Sequence, residues 1–345
     1  MQVCHRRSLR RGRSHRVAAR AAIAVLVAGA GTFAVSGLSA GPVAAASPPP
    51  YTHSYYIETT STSTMRTLGA SEGSFDSGDG CRNVTNILDF GQVGYEASSS
   101  GYGGYGAYNF DSGANYPFVG DGAIGALVNS YAYGWYHAVG SCPHLELAVA
   151  VNNYHECPFG GACSISQAGS WWGSLISNIR SYLASAGESG KITVRAADDA
   201  EAGWDCYATS SNVQVTGAFL SGYNSNNPSS ADLLDFGDAA AGSSCGYVSS
   251  TGTYLAGPAW SQTQIYEAAY GQTADYPFPE AYYSGQISDW YDVYVNVGYM
   301  NFFGTLSQYP RGGYSPDQAS TNFYNTLKPV DSTLVLESSS DSVYQ

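Results

Sequence analysis

The chain carries little positive charge outside its first residues. Of its 14 lysines and arginines, seven arginines lie within the first 20 residues, where none of the 27 acids is found. Without that stretch, seven basic residues face 27 acids, which gives a formal net charge of −20. Such a field repels phosphate polymers and anionic lipids, so we expect no nucleic-acid partner and no membrane-surface partner. A neutral or amino-bearing partner is accommodated more easily.

No apolar run is long enough to cross a bilayer, which takes ~20 residues. The longest run, Ala21 to Val35, spans 15 residues, follows the arginine cluster and leads to Ala44-Ala45-Ala46 before Ser47. This order of basic, apolar and small residues predicts a signal peptide over residues 1–46, cleavage after Ala46 and a secreted, extracellular product. The paired arginines leave both the general and the twin-arginine export routes open.

Metal-binding patterns of cysteine and histidine are absent. There is no Cys-x-x-Cys pair and no His-x-x-x-His spacing, so we expect no metal and no cofactor. Cys4 is lost with the signal peptide, and an even set of six cysteines in an exported chain predicts three disulfides. The short loop between Cys157 and Cys163 favours that bond, while sequence order alone suggests the other two. The six are Cys81, Cys142, Cys157, Cys163, Cys206 and Cys245, with the order-based pairs Cys81–Cys142 and Cys206–Cys245.

Histidines are absent after His155, which argues against a serine hydrolase. The Gly-x-Ser-x-Gly motif of such enzymes needs a strand before it, a helix after it and a later histidine. It occurs at 242–246, beside Cys245, and at 69–73, in a polar segment. Neither copy predicts this chemistry.

Short apolar runs alternate with helical patterns from Cys81 onward, as in a parallel sheet with crossover helices. Eight runs in about 265 residues match the usual size of a (β/α)₈ barrel. We therefore predict an α/β fold, a single TIM-like barrel with disulfide-bearing loops over residues 79–345. It follows a Ser/Thr/Tyr-rich segment, 47–78, that contains one strand near Ser54 to Thr59. The predicted barrel strands are Asn86–Phe90, Leu145–Val151, Ile192–Ala197, Thr216–Gly222, Leu233–Phe236, Glu280–Tyr283, Met300–Leu306 and Thr333–Glu337.

Five segments have helical spacing, and long loops after strands are where barrels place function. The alternative fold is an all-β sandwich, which the abundance of Ser, Thr, Gly and Tyr would suit. Runs such as Gly173 to Leu183, apolar every three to four positions, favour the barrel. The predicted helices are Ile124–Ala138, Ser166–Ala186, Trp260–Tyr270, Gln286–Val297 and Asp317–Leu327, and the long loops are Val151–Ser164 and Gly237–Gly257.

One short segment occurs twice in similar form. Ile87-Leu88-Asp89-Phe90-Gly91 returns as Leu233-Leu234-Asp235-Phe236-Gly237. By our numbering these are the first and fifth strands, which a half-barrel duplication would relate. Two buried strands that each end in a Gly turn would give the same pattern, and both interpretations stay open.

The strand Ile192 to Ala197 ends in three acids within four residues. Side chains alternate along a strand, so Asp199 and Glu201 share one face, with Cα atoms ~6.5–7 Å apart, and Asp198 points to the other. Two carboxyl groups at this spacing suit acid-assisted glycosidic cleavage, in which one is kept protonated by its charged neighbour. The alternative is structural, with Glu201 or Asp205 capping the next helix.

Four motifs together resemble secreted bacterial glycoside-hydrolase-like TIM-barrel proteins over most of the chain from Cys81. These motifs are the Asp-Phe-Gly strand, Asp198-Asp199-Ala200-Glu201 before Gly203-Trp204, the segment Phe219–Asn224, and Pro279–Tyr282 before Gln286 and Trp290. Lysozyme-type barrels, whose catalytic strand ends in Asp-x-Glu, are the distant enzymatic relatives. The resemblance implies that Glu201 donates a proton and that Asp199 steers an acetamido group or stabilises charge. Only Asp89 is available for the acid that the lysozyme type carries on its first strand.

Further candidates lie at other strand ends. Asp89 and Asp235 precede Gly turns, so a turn role and a substrate contact are both open for them. We also expect Glu280 with Tyr282, Trp204 and Asn152 to line a sugar site, although the pair Asn152-Asn153 would also simply end a strand. The leading hypothesis is a carbohydrate-active protein, a glycoside hydrolase that acts on a neutral or amino sugar polymer. The alternative is a non-catalytic glycan- or surface-binding barrel, a pseudoenzyme.

Overall fold

The computed structural model describes residues 48–96, 104–110, 117–154, 163–204, 213–226, 233–241, 245–248, 254–257, 260–271 and 275–344. The predicted signal peptide lies outside these residues. The strands are β1 Tyr51–Tyr56, β2 Asn83–Glu96, β3 Gly104–Tyr108, β4 Phe118–Gly120, β5 His144–Asn152, β6 Ile192–Asp199, β7 Leu233–Asp235, β8 Cys245–Val248, β9 Tyr254–Gly257, β10 Asp275–Pro277, β11 Gly304–Ser307 and β12 Ser338–Tyr344. The helices are α1 Thr62–Asp76, α2 Asp121–Ala138, α3 Ile165–Ala186, α4 Gln214–Asn226, α5 Gln262–Ala269, α6 Ser284–Asn296 and α7 Pro316–Leu327.

Eight parallel strands form a nearly closed barrel in chain order. The hydrogen-bonded sequence runs β1, β2, β5, β6, β7, β10 on one side and returns to β1 through β11 and β12. A parallel bridge between Glu280, just after β10, and Leu306 of β11 joins the two ends of the sheet. One helix of α1 to α7 separates each successive pair of barrel strands. The predicted α/β TIM-like barrel is therefore confirmed.

The barrel strands bury two separate apolar faces. Alternate side chains pack outward beneath the helices, as Val194 and Ala196 of β6 do. The others fill the barrel interior, as Ala197 of β6 and Ile87 of β2 do. This alternation decides which acids at the strand ends point toward the barrel mouth.

The barrel begins earlier than the predicted boundary at residue 79. Strand β1, which overlaps the strand expected near Ser54 to Thr59, pairs with both β12 and β2, and α1 follows it. Helix α1 lacks a strong apolar stripe because it approaches α2 through glycine. A Cβ at Gly69 would lie 2.0 Å from the carbonyl oxygen of Tyr131, and one at Gly73 would lie 2.6 Å from that of Trp135.

Three predicted strands are placed differently. Thr216–Gly222 lies in α4, and Gly222 is required there because a Cβ would lie 1.9 Å from the carbonyl oxygen of Ser166 in α3. Thr333–Glu337 precedes the last strand, β12, which is rich in serine and therefore carries little hydrophobic signal. In place of the strand predicted at Glu280–Tyr283, the structure has β10 a few residues earlier, at Asp275–Pro277. Within Glu280–Tyr283, only Glu280 pairs with another strand.

The two similar segments are not equivalent. They lie in β2 and β7, the second and fifth barrel strands, which are three strands apart, so of the two open interpretations the half-barrel duplication is excluded. Ile87 faces the barrel interior, whereas Leu233 packs outward. Their two aspartates consequently point in opposite directions, and what they share is the turn that each makes with a following glycine.

The predicted disulfide Cys81–Cys142 is present. It lies just before β2 and β5, which pair from Asn83 and His144, at the barrel end opposite the strand carboxyl termini. Cys163 is also disulfide-bonded. Cys157, Cys206 and the side chain of Cys245 lie outside the described residues. Among the helices that are described, none has the length and apolar character needed to cross a bilayer.

Candidate functional site

The C-terminal rim of the barrel carries a row of inward-facing polar residues. Asp199 continues the inward row of Ala197 on β6, and Asp89 continues that of Ile87 on β2. Asn152 follows Ala150 on β5 and lies beside Asp199 in the strand register. All three are buried, with at most 3% of their surface exposed. The alternation of the strands thus brings them to the mouth of the barrel.

Three carboxyl groups converge at this rim. One oxygen each of Asp199, Glu201 and Glu280 lies within 4.8 Å of the others. Asp199 is 1% exposed and Glu280 is 4% exposed, while Glu201 is half-buried. The predicted pair Asp199 and Glu201 is therefore brought together, and Glu280 reaches it from the loop after β10. We call these three residues the rim cluster.

Glu280 is fixed by two donors. The Tyr282 hydroxyl donates to its Oε1 at 2.6 Å, and Nε2 of Gln286 donates to its Oε2 at 2.9 Å. Gln286 also accepts the Tyr282 backbone N–H at 2.9 Å, which ties the two donors to each other. Tyr282 was predicted to face a sugar, and the structure places its hydroxyl on Glu280 instead. Burial raises the pKa of Glu280 to about 8, and both hydrogen bonds oppose the shift.

Glu201 is fixed through its backbone by Asn153. The Glu201 N–H donates to Asn153 Oδ1 at 3.0 Å, and Asn153 Nδ2 donates to the Glu201 carbonyl at 3.1 Å. The same Nδ2 donates to Thr216 Oγ1, and Asn153 is 1% exposed. Sequence reasoning chose its neighbour Asn152 for the site; the pairing of two asparagines after β5 was the signal for Asn153. Helix α4 begins 13 residues after Glu201, so Glu201 does not cap it, and Asp205 lies outside the described residues.

Like charges and burial act together on Asp199. Burial raises its pKa well above the ordinary value, and Glu201, Glu280, Asp89 and Asp198 raise it further by repulsion. Its Oδ1 is buried and has no hydrogen-bond partner among the described residues. A buried carboxyl with such surroundings retains a proton or needs a positive partner.

Asp89 lies deeper in the same interior. Its Oδ1 accepts the Gly91 N–H at 2.8 Å, and its Oδ2 has no partner within the described chain. Burial raises its pKa to about 7 against the effect of that hydrogen bond. Gly91 is required here because its φ is +88° and a Cβ would lie 2.4 Å from the Tyr108 carbonyl oxygen.

Two predicted acids face away from the rim cluster. Asp198 shares the outward row of Ala196, and Asp235 that of Leu233. Asp235 Oδ1 accepts the Gly237 N–H at 3.1 Å, and burial raises its pKa to about 7. These two acids therefore lie beneath the helix layer rather than at the barrel mouth.

Trp204 is tied to the backbone of the rim. The backbone N–H of Trp204 donates to the Glu201 carbonyl at 3.0 Å. The indole ring meets the Tyr154 ring edge-on, with ring centroids 5.4 Å apart. Tyr154 N–H in turn donates to Asn152 Oδ1 at 3.2 Å. The half-buried Trp204 and the exposed Tyr154 thus form an aromatic pair beside Glu201.

The serine-hydrolase motifs provide no nucleophile in the described structure. Ser71 lies in the middle of α1, and residues 242–244 lie outside the described part of the chain. A cavity of about 380 Å³ lies on the helix layer, lined by residues of α1, α2 and α3 that include Arg66, Tyr133 and Tyr182. It is remote from the rim cluster and shares no residue with it.

Searches against protein-family models, curated proteins and solved structures find no match.

Proposed function

We infer that this chain is an exported, carbohydrate-active barrel that hydrolyses a glycosidic bond, with Glu201 as proton donor and Asp199 as its partner. The observation that carries the proposal is the convergence of Asp199, Glu201 and Glu280 within 4.8 Å at the strand carboxyl ends. Retaining glycosidases hold two carboxyl groups ~5–5.5 Å apart, and inverting enzymes hold them farther apart. The nearest oxygens of Asp199 and Glu201 lie within 4.8 Å of each other, which suits the shorter, retaining separation.

Exposure assigns the roles within the rim cluster. Glu201 is half-buried and is the member that a substrate can touch, whereas Asp199 is 1% exposed. Glu201 gives its proton to the leaving oxygen as the C–O bond breaks, and the acetamido oxygen of the substrate bonds to the sugar carbon in place of the leaving group. A water then adds its hydroxyl to that carbon as the bond to the acetamido oxygen breaks, and the remaining proton of the water returns to Glu201. The aromatic pair Trp204 and Tyr154 supplies a face on which a sugar ring can stack.

The test is release of reducing ends from chitin, peptidoglycan and plant glycans by the mature protein. The decisive variant is Glu201→Gln, which keeps size and removes the acid. Glu267→Gln, the same change at an exposed position of α5, is the matched control. We expect hydrolysis by the wild type and the control, and hydrolysis about 10²–10⁴-fold slower by Glu201→Gln. Equal activity in all three removes Glu201 from the mechanism.

The near-complete burial of Asp199 favours one second candidate, a glycan-binding barrel without catalysis. In that case no substrate is turned over, and binding on a glycan array survives the double change Asp199→Asn and Glu201→Gln. Absence of both turnover and binding rejects both candidates.

A further inference from the structure

The carboxyl groups of the rim cluster are chemically suited to bind a metal cation as well as protons. Its three donors are all carboxylate oxygens, with no histidine or cysteine among them. Oxygen-only sets select hard cations such as calcium, magnesium and manganese over zinc or copper. The chemistry of the ligands therefore restricts the occupant before size is considered.

An unsatisfied buried oxygen marks the same place independently. Asp199 is 1% exposed, and its Oδ1 accepts no hydrogen bond from any described residue. The ion pairs within the described chain join His53 to Glu72 and Glu146 to His144 and Arg195, and none of them reaches Asp199 or Glu280. A buried, uncompensated carboxylate is costly unless a cation or proton offsets it.

We propose that Asp199, Glu201 and Glu280 bind one calcium ion at the barrel mouth. The three oxygens lie at most 4.8 Å apart, so an equidistant ion lies at most about 2.8 Å from each, a limit that includes the ~2.3–2.6 Å of calcium. Magnesium demands a near-ideal octahedron at ~2.0–2.1 Å, whereas calcium accepts flexible geometries, which suits carboxylates that come from a strand end and two loops.

The surroundings of the three side chains suit this role. Tyr282 and Gln286 each donate to one oxygen of Glu280 and fix its orientation, as second-layer donors do for metal-bound carboxylates. Asn153 fixes the backbone of Glu201. The partial exposure of Glu201 gives the ion a route from solvent, and water completes the six to eight oxygens that calcium prefers.

This inference goes beyond the proposed hydrolysis, although it uses the same oxygens. A calcium ion on Glu201 occupies the position of the proton to be donated, so calcium is expected to inhibit turnover. The test below measures binding directly. Its failure leaves the hydrolysis proposal intact, and absence of hydrolysis leaves the calcium site intact.

The experiment is a titration of the EDTA-treated, dialysed mature protein with terbium, with the luminescence excited through tyrosine and tryptophan. Tyr282, whose hydroxyl contacts Glu280, and Trp204 are the nearby sensitisers. We expect one saturable site from which calcium displaces terbium at lower concentration than magnesium does. Calorimetry with calcium alone checks the stoichiometry.

The variants are Asp199→Asn and Glu201→Gln, with Glu267→Gln as the matched loss of one exposed charge. We expect at least about tenfold weaker calcium binding in the first two and unchanged binding in the third. Circular dichroism verifies that each variant is folded. Absence of calcium heat in the wild type, or equal calcium affinity in all four proteins, overturns the proposal.

Discussion

Glu72 and Asp199 of the rim cluster are both buried acids of this barrel, but they differ in which groups surround them. In α1, both oxygens of Glu72 lie within hydrogen-bonding distance of His53 Nδ1, and Glu72 also accepts the His53 backbone N–H at 2.9 Å and the Tyr55 hydroxyl at 2.6 Å. In the rim cluster, Asp199 faces other carboxyl groups and its Oδ1 has no described donor. Acids that are fully satisfied hold a fold together, whereas acids that repel one another are retained at a cost in stability. The difference indicates structure at one place and function at the other.

The largest effect is expected on turnover. Glu201→Gln should reduce hydrolysis about 10²–10⁴-fold, the usual contribution of a general acid, while the midpoint of thermal unfolding stays within a few degrees of the wild type. The measurement is steady-state hydrolysis beside a thermal melt. A parallel loss of both activity and stability would place Glu201 in the structural class with Glu72.

The opposite result is expected for a change at Glu72, namely a loss of stability without a loss of activity. Glu72→Gln keeps one acceptor oxygen for the donors of His53 and Tyr55 and should lower the free energy of unfolding by about 2–3 kcal/mol. Urea denaturation measures this loss. Activity per folded molecule should not change, because Glu72 joins α1 to His53 and Tyr55 of β1 and is not part of the rim cluster. A stability equal to that of the wild type would contradict the assigned role.

Asn153 is a buried structural residue that positions the proposed proton donor Glu201. Asn153→Ala removes both hydrogen bonds to the Glu201 backbone and should lower kcat about 10–100-fold with little change in KM. A purely structural role would lower the amount of folded protein and leave kcat per folded molecule unchanged. Steady-state kinetics on protein purified as a folded monodisperse species separates these outcomes.

The smallest effect is a pH dependence of stability at His53. Burial lowers the pKa of His53, but the hydrogen bond and charge of Glu72, with Asp341 and Asp76, raise it above 6.5 overall. The associated stability is fully present below pH 6.5 and is lost as the pH rises through the higher pKa of the folded state. Unfolding free energies should fall by no more than about 1 kcal/mol between pH 6 and 8. Glu72→Gln should remove that slope, and an unchanged slope would assign it to another group.

The sequence predicts the strong periodic elements and the acidic strand end, because both have local signals. The buried strand β5 is apolar over most of its length, and the acids Asp198 and Asp199 at the end of β6, with Glu201 just after it, stand out. Elements whose packing depends on close glycine contacts, α1 and α4, and the strand β12, which is rich in serine, have no such signal. Strand β1 was predicted as a strand but not as part of the barrel. The hydroxyls of Ser54 and Ser340, 2.7 Å apart, show that polar side chains fill this part of the interior.

Residues that act through long-range contacts are not visible in the local sequence. Glu280 lies about 80 residues from Asp199, and only closure of the barrel brings their oxygens within 4.8 Å. The reversal of facing between Asp89 and Asp235 is likewise hidden, because their two segments are nearly identical in sequence. A shift of one position relative to the barrel interior separates them, and that shift depends on pairing with neighbouring strands.

The most direct test of this account is the free energy of unfolding of Asp199→Asn, measured in urea without divalent cations. We expect a stability equal to or greater than that of the wild type, because the change replaces a carboxyl group whose ionisation is opposed by burial and by neighbouring acids, and whose Oδ1 accepts no described hydrogen bond. A loss of about 2 kcal/mol or more, as expected for Glu72→Gln, would show that the rim cluster holds the barrel together and would contradict the functional assignment.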